Sequence, residues 1–197
     1  MASGHAVDDL AEREIDRIVK SVVNPRPIAW VSTVDEEGRE NLAPFSAYNY
    51  VSSAPPVVLF SSSQREGRFK DSAENAVATG EFAVNVVTER LAEEMDATTA
   101  GLEPGESEFD YAGVERAPCA AISAPRVADA VATLECRLHD TVEVYGRLVV
   151  FGEAVHVHVA DEVQTDGEVD ARKVDTVGRL GGPYYTVAEP MDFERQY

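Results

Sequence analysis

The chain has 197 residues, 44% of them hydrophobic, which suits one domain with a full core and is too apolar for a disordered polymer. Its 36 acidic against 17 basic residues leave a formal charge of −19, which argues against the basic footprint that nucleic-acid phosphates require. No apolar run reaches membrane-spanning length, and the opening MASGHAVDDLAER lacks a secretory pattern, so a soluble cytoplasmic protein is expected, with neither membrane nor nucleic acid as partner.

Val7, Leu10, Ala11, Ile15, Ile18 and Val19 recur at helical spacing and predict an amphipathic helix over 8–20. IAWVSTV (28–34) is strand-like, and DEEG (35–38) predicts a hairpin turn with Gly38 free to take positive φ. VVLFSSS (57–63) is a second strand, entered through Pro55 and Pro56. RFKDSAENAVATG (68–80) predicts a short helix ending at Gly80, followed by the strand EFAVNVV (81–87). A second helix is expected over 88–100 with Thr88 as N-cap, then a loop over 101–110. Two long strands follow, about 132–145 and 147–160, and then an acidic loop over 161–170. In the first, Leu134, Cys136 and Leu138 alternate with Glu135 and Arg137; in the second, Val155, Val157 and Val159 share one face and His156 and His158 the other. Short strands, hairpin turns and few helices predict a mainly β protein, a barrel with peripheral helices, rather than a Rossmann sheet.

Several chemistries lack their signatures. The chain has no GxGxxG after a strand, no GxxxxGK[ST] loop and no GxSxG elbow, and GRLGG (178–182) has the wrong spacing and reads as a turn. His156 and His158 could bind a metal, but no third ligand is evident because His5 and His139 lie in unrelated contexts; they read as polar-face or ligand-lining side chains, and no metal is expected. Cys119 and Cys136 read as buried free thiols.

The most informative stretch is NPRPIAWVSTVDEEGRENLAPFSAYNYVSSAPPVVLFSSSQREGRFKDS (24–72). Ser32, Thr33, Asn41, Ser46, Asn49, Ser61, Ser62 and Ser63 crowd the ends of apolar strands, with Trp30, Phe45, Tyr48 and Tyr50 between them. Arg65, Arg68 and Lys70 then lead into a helix with Asp71 and Ser72. An anionic cofactor needs such cations, hydroxyls and free N–H groups at a helix start, and a flavin ring needs apolar faces with a polar edge. Ordinary strand-end capping would account for the same composition.

The stretch resembles the flavin reductase-like, FMN-binding split-barrel family. The resemblance is carried by PRPIAWVST, by N-x-APFSAYNYVSSAPP, by the K-D-S helix entry, by EFAVN (81–85) and by GRLGGPYY, spread over most of 24–187. It implies one domain over 1–197, a six-stranded antiparallel split barrel, and a homodimer with FMN near the subunit interface. By the same resemblance Pro44, Phe45, Ser46 and Asn49 flank the isoalloxazine, and Ser61, Ser62, Arg68, Lys70 and Ser72 hold the ribityl-phosphate end. His156, Arg179 and Tyr184 are further candidates, reaching the site from the partner subunit. APFSA stands where many reductases of the family carry a TxSSF-like run, which places the chain nearer the flavoredoxin-like branch.

The function this implies is an FMN-dependent reductase that takes hydride from NAD(P)H and passes electrons onward to an acceptor protein or a flavin-dependent monooxygenase. The flavin would do the chemistry, so no catalytic side chain is required. The alternatives are a non-enzymatic FMN electron carrier and an FMN storage or sensor protein. The acidic excess points to a halophilic, salt-adapted cytoplasm, because salt screens self-repulsion.

Overall fold

The computed structural model describes residues 4–193 apart from 66 and 104; the side chain of Arg65 also lies outside the described residues. Seven main strands, β1 (Ala29–Val34), β2 (Glu40–Phe45), β3 (Tyr48–Ser53), β4 (Pro56–Arg65), β5 (Glu81–Val86), β6 (Ala132–Val144) and β7 (Arg147–Val159), pair antiparallel in the order β2-β1-β5-β6-β7-β4-β3. The six-stranded barrel expected from the sequence is thus extended by β3, which lies outermost beside β4. β2 and β3 stand at opposite ends of this path yet are joined by only Ser46 and Ala47, and Ser61 N donates to Ala47 O at 2.8 Å. The sheet is therefore curled until its ends nearly meet, which is a barrel left split at one seam.

Two apolar clusters explain the sequence pattern. β1 is buried on both faces: Ala29 and Val31 point into the barrel with Phe45, Phe60, Phe82, Val84 and Val150, whereas Trp30 packs outward with Leu91, Met95 and Phe109. The Trp30 indole N–H donates to Thr98 Oγ1 at 2.9 Å, so its one polar atom is satisfied. The interior is tight enough that a Cβ on Gly152 would sit 2.3 Å from a ring carbon of Phe82.

One of the buried polar residues on these strands ties several of them together. Asn85 is fully buried; its amide donates to Trp30 O (3.0 Å) and Ser32 Oγ (3.1 Å), and its carbonyl accepts from Val127 N (2.9 Å) and Thr133 Oγ1 (3.1 Å). All four hydrogen-bonding positions of the side chain are used, as burial requires.

The helices are shorter than their sequence patterns. The predicted 8–20 helix divides into a 3-10 turn at Val7–Asp9 and α1 (Glu12–Val22), because Ala11 is extended and its N–H is taken by the Glu14 carboxylate at 3.1 Å. α2 is Asp71–Thr79, closed by Gly80 at φ 75°, while Arg68 and Phe69 pair back onto Arg65 and Gln64 instead of entering the helix. The predicted 88–100 helix is a 3-10 turn at Glu89–Leu91 followed by α3 (Ala92–Ala97). Thr88 occupies the N-cap position, but its buried hydroxyl makes no capping bond. The predicted 101–110 loop ends early, in the helix α4 (Glu108–Ala112).

The turns follow their sequence signals closely. Asp35 Oδ1 accepts the N–H groups of Glu37 and Arg39 at 2.9 and 2.8 Å, with Gly38 at φ 81°. Tyr145 and Gly146, both at positive φ, join β6 to β7 in the two-residue manner that suits the right-handed strand twist. The acidic loop folds as a small hairpin, Gln164–Thr165 against Glu168–Val169, through Asp166 and Gly167.

Candidate functional site

The seam between the ends of the sheet brings together residues that are far apart in sequence. Phe45, at the end of β2, packs on Phe60 with ring centroids 4.8 Å apart. The Lys70 ammonium stands 5.3 Å from the centroid of the Phe45 ring. Desolvation and then the charge of Arg147 hold this ammonium below its ordinary pKa. Arg147 Nε donates to Ser61 Oγ at 3.1 Å, and Lys70 N donates to Ser62 Oγ at 3.3 Å. Beside Lys70 the helix α2 begins, with Lys70 O accepting from Ala73 N and Glu74 N at 2.9 and 3.1 Å and the N–H groups of Asp71 and Ser72 lying ahead of the intrahelical ladder. Two cations close enough to repel, hydroxyls and a helix start form a cradle for an anion.

Next to the cradle an open cleft of about 360 Å³ lies between α1 and the residues around Ser46. Arg17, Lys20, Arg26 and Arg179 line it, with Asp16 as the one acid. Arg26 Nη1 donates to Ser46 Oγ at 3.0 Å and Nη2 to Leu180 O at 2.8 Å, while its Nε is buried without a partner among the described residues. Desolvation and the neighbouring Arg179 both lower the Arg26 pKa. Arg179 lies 4.4 Å from the centroid of the Tyr185 ring, hydrogen-bonds the Tyr185 hydroxyl, and donates to Gly182 O at 2.7 Å. In a chain of charge −19, four cations on one cleft mark a place for negative charge.

The residues singled out in the sequence divide into groups. Phe45, Ser61, Ser62 and Lys70 meet at the cradle, and Ser46 links it to the cleft through Arg26. Pro44 precedes Phe45 on β2, and Asn49 is exposed on β3, its carbonyl accepting from Tyr50 N at 2.9 Å. Ser72 is buried and accepts from Asn41 Nδ2 at 2.7 Å, which turns it under α2. Arg68 is exposed and paired with Glu74 at 2.6 Å. Tyr184 is exposed beyond the cleft. His156 lies on β7 nine residues beyond Arg147, roughly 30 Å along the strand, at the far end of the barrel.

Arg147 was missed by sequence reasoning. Its only linear signal is a cation directly after a turn, and its pairing with Ser63 across β7 and β4 is what aims it at the cradle. Glu135 was missed too. The alternation of β6 pairs it with Arg137 on the solvent side, yet it is fully buried. The two cysteines are free; burial and then the Glu135 charge push both thiols up to about 12, so neither is a nucleophile near neutral pH.

The family model described as "Flavin reductase like domain" matches residues 22–177. The chain belongs to the flavin reductase-like family. An uncharacterized protein of Aquifex aeolicus is 40% identical to it over 174 residues, covering 87% of this chain and 89% of its relative. Among solved structures, nitrilotriacetate monooxygenase component B of Bacillus cereus is 28% identical, superposes with a TM-score of 0.92 and covers 99% of both chains. The 2-nitrobenzoate 2-nitroreductase of Pseudomonas fluorescens is 31% identical with a TM-score of 0.87, covering 99% of this chain and 95% of that one. The split barrel inferred from PRPIAWVST and its companion motifs is therefore the fold of this flavin reductase-like chain. No described helix is long and apolar enough to cross a membrane.

Proposed function

We propose that this chain binds FMN at the seam and serves as an NAD(P)H-dependent flavin reductase. The observation that carries the reading is the convergence of Ser61, Lys70 and Arg147 at the start of α2, beside the apolar wall of Phe45. Lys70, Arg147, the Ser61 hydroxyl and the first-turn N–H groups would hold the phosphate. Pro44, Phe45 and Ser46 would border the ring, with Asn49 at its edge. The Nε of Arg26, buried without a partner among the described residues, and the cations of the adjoining cleft fit the anionic half of a nicotinamide dinucleotide, laid next to Ser46. Bound FMN supplies the two-electron hydride chemistry; the protein orients the two partners and needs no acid or base of its own.

Anaerobic mixing of the FMN-loaded protein with NADH or NADPH is expected to bleach the flavin absorbance rapidly. Bleaching by dithionite alone would transfer the proposal to its second reading, a flavoredoxin-like electron carrier, which APFSA (43–47) favours. The Bacillus cereus relative is one component of a monooxygenase, which supports an onward partner that accepts the electrons.

We further propose a homodimer, because α1 leaves Ile18, Val19 and Val22 exposed on the apolar face its sequence pattern builds. A dimer doubles a charge that already stands at −19, so the melting temperature is expected to climb from tens of millimolar to molar KCl. A flat or falling melt across that series would remove the proposed salt adaptation.

A further inference from the structure

We propose that Glu135, His156 and His158 form a divalent transition-metal site of the zinc class at the end of the barrel remote from the seam. His156 and His158 share one face of β7, and Glu135 is the register partner of His156 on β6. Their ligand atoms all lie within 4.8 Å of one another. The third donor comes from the neighbouring strand, so no linear spacing discloses it. Ligands about 2.0–2.2 Å from zinc in a tetrahedral shell stand roughly 3.3–3.6 Å apart, so the ion replaces the proton shared by Glu135 and His158, that pair opens by about 1 Å, and the exposed His156 ring rotates in.

The carboxylate is already fixed as a ligand would be. Glu135 is fully buried, with Oε1 accepting from Ala120 N at 2.7 Å and Oε2 from Ala121 N at 2.6 Å. Such outer donors orient a metal-binding carboxylate and leave further lone pairs for the ion. His158 Nε2 lies 2.5 Å from Oε1, and the two imidazoles stack edge to face with centroids 4.8 Å apart. Two imidazoles with one carboxylate suit Zn²⁺, Co²⁺, Ni²⁺ or Fe²⁺ better than Mg²⁺ or Ca²⁺. A hydrogen-bonded Glu135–His158 pair alone would also satisfy the carboxylate, but it gives the neighbouring His156 no part.

The test is a zinc titration of the tag-free, EDTA-stripped chain against a chromophoric chelator, with Co²⁺ absorption as a second readout. One Zn²⁺ per chain is expected, bound at least tenfold more weakly by His156→Ala, by His158→Ala and by Glu135→Gln. Zinc should raise the melting temperature of the parent chain and leave that of His156→Ala unmoved; because His156 is exposed, that variant keeps the fold even if Glu135→Gln does not. Absence of stoichiometric zinc, or affinity unchanged in both histidine variants, overturns the proposal and leaves the ion pair alone. FMN titration of the same samples keeps this result separate from the seam, whose cofactor reading stands or falls independently.

Discussion

Replacing Lys70 or Arg147 by alanine is expected to weaken FMN binding by tenfold or more while leaving riboflavin binding nearly unchanged. The reasoning starts from charge. A hydrogen bond to an anion is worth about 1.5–3 kcal/mol, and about 1.4 kcal/mol is a factor of ten in affinity. Lys70 and Arg147 repel one another across Ser61, so each is relieved by an anion between them. Arg68 makes a sharper control than a surface lysine would, because its guanidinium is exposed and already tied to Glu74. Arg68→Ala should therefore change FMN affinity less than either cradle substitution. Titration of FMN fluorescence in all three variants, repeated with riboflavin, reads this directly. If Lys70→Ala and Arg147→Ala both bind FMN as the parent does, the phosphate lies elsewhere.

Phe60→Ala should produce the largest loss of stability of any change near the site. Phe60 is fully buried between Phe45 (centroids 4.8 Å apart) and Phe82 (5.2 Å, edge to face). Deleting such a ring costs about 3–5 kcal/mol, which for a chain of this size lowers the melting temperature by roughly 6–20 °C. Because Phe45 loses its backing, FMN affinity should fall in the same variant although Phe60 is not proposed to touch the cofactor. Phe60→Leu, which keeps most of the volume, should recover much of both losses. Calorimetry showing a cost under about 1 kcal/mol for Phe60→Ala would mean that the barrel wall does not depend on this ring.

The barrel was legible because its signals are local and repeated. Ala29–Val34, Pro56–Arg65, Glu81–Val86 and the long pair Ala132–Val144 and Arg147–Val159 all announce themselves by alternation or by β-branched runs closed with Gly or Pro. The helix limits were less legible. The apolar spacing over 8–20 continues through Leu10 and Ala11, yet Glu14 caps Ala11 and starts the helix there. Arg68 and Phe69 have ordinary helical character and were drawn instead into a ribbon with Gln64 and Arg65.

The site was legible only as far as one strand or one turn could carry it. Phe45, Ser61, Ser62 and Lys70 stand in a single stretch of sequence, and the fold brings them to one seam. Arg147 and the cleft cations Arg17, Lys20 and Arg26 arrive from segments whose pairing no period reveals. Glu135 is the clearest case: its alternation points outward, and the N–H groups of Ala120 and Ala121, folding over the strand, together with the His158 ring satisfy its buried carboxylate.

Asn85 makes the alignment of the barrel an all-or-none matter. Apolar side chains tolerate a neighbouring strand that has slid, because one methyl group resembles another. The amide of Asn85 does not, since Trp30 O, Ser32 Oγ, Val127 N and Thr133 Oγ1 are met together in one register only. A slip of one residue turns Asn85 to the opposite face and strands buried donors and acceptors at about 1–3 kcal/mol each. A misthreaded barrel with the same apolar inventory would thus be discarded by its polar errors. Asn85 acts as a key cut for a single lock, and the seam at which Lys70 and Arg147 meet inherits its precision from that fit.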